Sequence, residues 1–147
     1  MTFNLRHQNN NAPLLNSVIT GQSGVTFAAG GSDQDIYLGS AGNTYSGGTR
    51  IMSGCVSTAN ALNLGDGDIS VYGNEGGGGQ FKFGFGGTIT NGFHLSGVGG
   101  TPSGIPGGAV RFDANGTLSG PVELMANTRV GRSEEHTSEL QSRSDIV

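Results

Sequence analysis

Between Ser17 and Gly131 every stretch of β-favouring residues is cut short by a cluster of Gly, Asn, Asp or Ser. The stretches are Ser17–Thr20, Gly24–Phe27, Asp35–Leu38, Gly48–Met52, Cys55–Ser57, Asp68–Tyr72 and Gln80–Phe83, then Gly87–Thr90, Phe93–Leu95, Ala109–Phe112, Gly116–Leu118, Pro121–Leu124 and Thr128–Val130. Many alternate apolar with polar residues, the period of a strand with one buried face. Glycine makes up 29 of the 147 residues, without a Gly-X-Y period and with only 4 prolines, which excludes collagen. Long helical patterns are missing.

Many short strands suit a sandwich or barrel, or a stack of coils. Strands shorter than the usual 5–6 residues or so, and few Asn-Gly or Asp-Gly turns between matched pairs, favour the stack. Loose self-similarity points the same way: Asn43-Thr44-Tyr45-Ser46-Gly47-Gly48, Gly87-Thr88-Ile89-Thr90-Asn91-Gly92 and Asn115-Gly116-Thr117-Leu118-Ser119-Gly120 vary one turn-strand-turn theme. The expected fold is an all-β solenoid of roughly five coils, about 4.8 Å apart, with Gly- and Asn-rich turns. Its inward residues are expected to be Ile36, Leu38, Ile51, Val56, Ile69, Val71, Phe81, Phe83, Ile89, Leu95, Val110, Phe112, Leu118, Val122, Leu124 and Val130.

Asn43-Thr44-Tyr45-Ser46-Gly47-Gly48-Thr49-Arg50-Ile51, then Ser53-Gly54-Cys55-Val56 and Asn60–Gly65, is similar to the autotransporter-associated β-strand repeat. Ser46 stands where the family usually has Thr, and Asn63-Leu64 is inserted before Gly65. The resemblance implies a right-handed parallel β-helix in the exported passenger region of an autotransporter-like protein. The motif residues Asn43, Thr44, Tyr45, Gly47, Gly48, Thr49 and Gly54 then have structural roles. Asn43 is expected to cap a turn, Tyr45 to point inward or stack, Gly47-Gly48 to form a corner, and Thr49 to open the next strand. Localisation is expected to be extracellular or at the bacterial cell surface. The partner is expected to be a surface ligand of host cell, matrix or glycan type, with outer-membrane association only through parts outside this chain.

Residues 1–16 are read as an Asn-rich, partly disordered lead-in, 17–131 as the repeat region and 132–147 as a foreign tail. Arg132–Ser142 resembles the in-frame translation of a common sequencing adapter, which implies a natural sequence ending at or near Gly131. His136, Glu134, Glu135 and Glu139 are then expected to have no function. Met1–Asn11 shows no signal peptide, and the chain is expected to lack its true N-terminus.

The formal net charge is −4, of which the tail contributes −2 from two Arg and four acids, so the body carries 5 bases and 7 acids. No basic patch attracts nucleic acid. No apolar run approaches the about 20 residues of a membrane-spanning helix. Cys55 is the single cysteine, a small core residue by its strand pattern, and forms no intrachain disulfide.

No cofactor, metal or catalytic site is assigned. Asp33-Gln34-Asp35 and Asp66-Gly67-Asp68 could bind Ca²⁺ or serve acid–base chemistry, but read more simply as turn acids facing water. His94 lies in an alternating run and faces solvent; His7 has no assignable partner. Gly76–Gly79 lacks the Gly-Lys-[Ser/Thr] of a phosphate loop. Asn115-Gly116-Thr117 is a single glycosylation sequon, a match close to chance. Tyr72, Phe85 and Phe93 could stack on sugars, with core filling the simpler reading. The expected role is a structural or adhesin-type passenger segment without enzymatic activity. The competing reading is the non-catalytic portion of a β-helix glycan-processing enzyme, in which Asp33, Asp66, Asp113 and Glu123 would converge within about 10 Å.

Overall fold

Apolar residues at every second position give each short strand one face for a core, and glycines between them let the chain turn back over itself. A computed structural model describes residues 2–5, 14–29, 35–73, 78–100 and 107–132. His7, Asn9–Asn11, Asp33, Gln34, Gly76, Gly77 and residues 133–147 lie outside the described residues. The strands, in chain order, are β1 (Thr2–Leu5), β2 (Leu14–Leu15), β3 (Val25–Ala29), β4 (Asp35–Leu38), β5 (Thr49–Thr58), β6 (Ile69–Gly73) and β7 (Gly79–Phe83). They continue as β8 (Gly87–Ile89), β9 (Phe93–Gly97), β10 (Val110–Phe112), β11 (Gly116–Leu118), β12 (Val122–Thr128) and β13 (Val130–Arg132), with one short 3₁₀ turn at Ala61–Leu64.

Every pairing between these strands is parallel, and together they form a β-solenoid with three ladders. The first ladder runs β1-β3-β5-β6-β9-β12, the second β2-β4-β5-β7-β10-β13, and the third β8-β11. β5 belongs to both long ladders: Thr49–Ser53 pairs in the first, and at Gly54 the chain passes into the second. Val25 lies beside Thr49, Thr49 beside Ile69, Ile69 beside Phe93, and Phe93 beside Val122. The steps are therefore 24, 20, 24 and 29 residues, giving four complete turns over residues 25–121 with partial rungs beyond each end. The stack begins earlier than residue 17, since β1 and β2 already pair with β3 and β4.

The core is a set of inward columns. Phe27, Ile51, Val71 and Leu95 stack on the first face, and Ile36, Val56, Phe81 and Val110 on the second, all buried. Each such side chain contributes roughly 1.5–3 kcal/mol through burial. Phe83 packs edge-on against Phe81 at 6.0 Å and stacks on Phe112 at 5.3 Å. Tyr45 and Leu64 join the core although alternation alone does not single them out, and Phe93 joins it on the inward side of its alternating run.

Three expected core residues do not become buried. Val122, Leu124 and Val130 continue the inward columns but remain 46%, 64% and 54% exposed. Among the described residues no coil lies over β12 and β13 to cover them. Leu118, on the last described strand of the third ladder, is only partly buried for the same positional reason, and Phe112 is partly buried although Arg132 lies beside it on β13.

Candidate functional site

The Asn43–Thr49 segment forms the third side of its coil and enters β5. Asn43 is buried and reaches in both directions along the stack. Its Oδ1 accepts from the Ile19 N–H of the preceding coil at 2.8 Å, and its Nδ2 donates to the Asn63 carbonyl of the following coil at 2.7 Å. It thus fastens three coils, a wider role than the expected local cap. Asn63 in turn donates to the Leu38 carbonyl, and Asn91 donates to the Gly65 and Gly67 carbonyls at 3.1 and 2.7 Å. Buried backbone groups at irregular turns need such partners, and an amide supplies a donor and an acceptor together. Tyr45 points inward, its phenol 2.6 Å from the Thr49 hydroxyl, and Thr49 Oγ1 donates to the Leu64 carbonyl at 3.0 Å. Burial raises the Tyr45 pKa, and the Thr49 hydrogen bond partly opposes it.

Outside the core, among the described residues, each long face carries a polar cleft built by the same device, a serine between two long side chains on neighbouring rungs. On the first face the outward column reads Thr26, Arg50, Ser70, His94, Glu123. Ser70 leaves a depression of about 270 Å³ between Arg50 and His94, closed at one side by Ser46 and Asp68. His94 Nδ1 lies 2.8 Å from Glu123 Oε2, and its Nε2 lies 3.3 Å from Asp68 Oδ2. A neutral imidazole has one N–H, so only the imidazolium can donate to both carboxylates. Hydrogen bonds to Asp68 and to Glu123 accordingly raise the His94 pKa. With both nitrogens engaged, the ring acts as a clip between coils.

On the second face the outward column reads Leu14, Tyr37, Ser57, Lys82, Arg111. Ser57 is the floor of a cleft of about 310 Å³ between Tyr37 and Lys82, with Asp35, Gly84 and Asp113 at its ends. Asp113 accepts from Lys82 at 3.3 Å and from Arg111 Nε at 2.7 Å. Cys55 is buried beneath this face; burial first, then the adjacent Asp35 carboxylate, push its thiol pKa well up.

Of the acids of the competing enzymatic reading, Asp33 lies outside the described residues, and Asp66, Asp113 and Glu123 fall on separate parts of the coil. Glu123 meets His94 on the first face, Asp113 meets Lys82 and Arg111 on the second, and Asp66 sits exposed in a turn. The pair that does share a partner is Asp68 with Glu123, through His94. Among the described residues, no group of three or more His, Cys, Asp or Glu could hold a metal ion. Phe93 is buried and Phe85 stacks on Phe83 at 4.5 Å, so neither presents a free ring, while Tyr72 is half-buried. Asn115 of the sequon is exposed in the turn before β11. The clefts at Arg50–Ser70–His94 and Tyr37–Ser57–Lys82 escape sequence reasoning because the residues meet only through inter-coil register.

The stacked parallel ladders define the chain as a β-solenoid protein. No protein-family model, curated protein or solved structure matches it.

Proposed function

We propose that the chain is a structural, adhesin-type segment of a secreted or surface-displayed bacterial protein of autotransporter type, with contact to a host cell, matrix or glycan as its role. The observation that carries this reading is the Asn43–Thr49 segment, whose polar side chains hold coils together: Asn43 bonds the coils before and after its own, and Tyr45 and Thr49 fill and satisfy the corner. A stack of this kind presents length and outer faces, the properties that a displayed contact segment uses. Membrane attachment, in this reading, belongs to other parts of the protein.

The test is display. The chain is fused between a secretion leader and an outer-membrane barrel in a Gram-negative host. The expected result is removal by protease added to intact cells, together with retention on a mammalian cell layer, matrix or glycan coat above that of cells carrying the barrel alone. Display without added retention on any of the three would remove the adhesin role.

A further inference from the structure

We propose that the cleft between Tyr37 and Lys82 on the second face binds a neutral saccharide. The proposal deepens the surface-contact reading above and rests on it only for where the sugar would be met.

The shape comes from the stack itself. Tyr37, Ser57 and Lys82 are register partners on β4, β5 and β7, so the two long side chains stand two rungs apart with a serine between them. Two rungs are about 10 Å, room for one flat ring between the walls once the side chains are subtracted. The volume of about 310 Å³ falls at the small end of the roughly 300–1,000 Å³ of small-molecule sites, and suits one or two sugar units.

The chemistry of the lining selects the ligand. Tyr37 is 38% exposed and offers the cleft an aromatic surface, against which the C–H face of a pyranose can stack. Asp35 and Asp113 supply carboxylate acceptors for hydroxyl pairs, and Lys82 and Ser57 supply donors. The formal charges compensate one another: Lys82 and Arg111 stand against Asp113, which they share, and Asp35, so the four sum to zero and favour no ionic ligand. One small apolar face surrounded by balanced donors and acceptors matches a polyhydroxylated neutral ring. The equivalent cleft on the first face lacks an aromatic wall and has its histidine tied to two carboxylates.

The experiment is a titration of the isotope-labelled full chain with cellotriose, maltotriose and chitotriose, followed by amide shifts. The expected result is saturable shifts centred on Tyr37, Ser57 and Lys82 with at least one of the three. Tyr37→Ala should weaken that binding by about 10-fold or more, and Tyr37→Phe should keep it within about 3-fold. Ser57→Leu should abolish it by filling the floor, and the amide spectrum of each variant reports that the fold persists. The proposal is overturned if none of the three trisaccharides gives saturable shifts up to about 10 mM, or if Tyr37→Ala binds as the parent does. It is equally overturned if only a charged oligomer such as trigalacturonate binds there. Binding by the purified chain without retention in the display test would remove the surface role and leave the site. Retention without saccharide binding would remove the site alone.

Discussion

The phenol of Tyr45 and the hydroxyl of Thr49 meet 2.6 Å apart inside the stack, across the corner made by Gly47 and Gly48. Thr49 passes the connection on to the Leu64 carbonyl at 3.0 Å. Tyr45→Phe removes one bond and leaves the Thr49–Leu64 bond intact, so it should cost about 0.5–1.5 kcal/mol. Thr49→Val keeps the volume but strands the buried phenol and the Leu64 carbonyl, at about 1–3 kcal/mol for each. Urea midpoints should therefore order parent, Tyr45→Phe, Thr49→Val from most to least stable. The reverse order would place the phenol's partner elsewhere.

Gly48 is held by conformation and by space together. Its φ is +84°, and a Cβ there would come 2.8 Å from the Asp68 carbonyl oxygen, which belongs to backbone and cannot swing away. Gly42 has a similar φ of +91° with nothing within 4 Å. Gly42→Ala should cost only the left-handed conformation, about 1–2 kcal/mol. Gly48→Ala should cost clearly more, and thermal melts of the two variants measure the difference as the value of close coil approach.

The fold was legible where burial is local. Alternation in Ile36–Leu38, Ile69–Val71 and Phe81–Phe83 marks inward residues because a strand has two sides whatever lies beside it. Tyr45 was legible as an inward residue through its motif. Val122, Leu124 and Val130 show the limit: their columns are correct, yet burial also needs a coil on the next rung. The clefts were not legible at all. His94 meets Asp68 and Glu123 across 26 and 29 residues. Because the steps between coils are 24, 20, 24 and 29 residues, no fixed period in the sequence points to such partners.

Cys55 should be chemically silent in the folded chain. Its side chain is buried, and both burial and the Asp35 carboxylate oppose the thiolate that reacts. A thiol reagent such as DTNB at pH 8 should label it at a rate set by unfolding, with full labelling in denaturant. Rapid labelling of the native chain would show that this face opens.

His94 gives the stack a pH dependence whose sign follows from its partners. The charged groups facing it are Asp68 and Glu123, with Arg50 across the Ser70 floor of the same cleft. Hydrogen bonds to Asp68 and Glu123 raise its pKa above the ordinary 6.5. A raised folded-state pKa means that the protonated ring favours the folded state. The contribution is fully present below about pH 6.5, the unfolded value, and is lost as pH rises through the higher folded value. The melting temperature should therefore fall between about pH 6 and 8 by an amount on the order of 2–4 °C, small because the ring is part-exposed and screened. His94→Gln should flatten that slope, and Glu123→Gln should reduce it. High salt should weaken the effect in the parent and leave His94→Gln unchanged. A parent slope of opposite sign, or one that survives His94→Gln, would mean that another group governs the docking of β12 on β9.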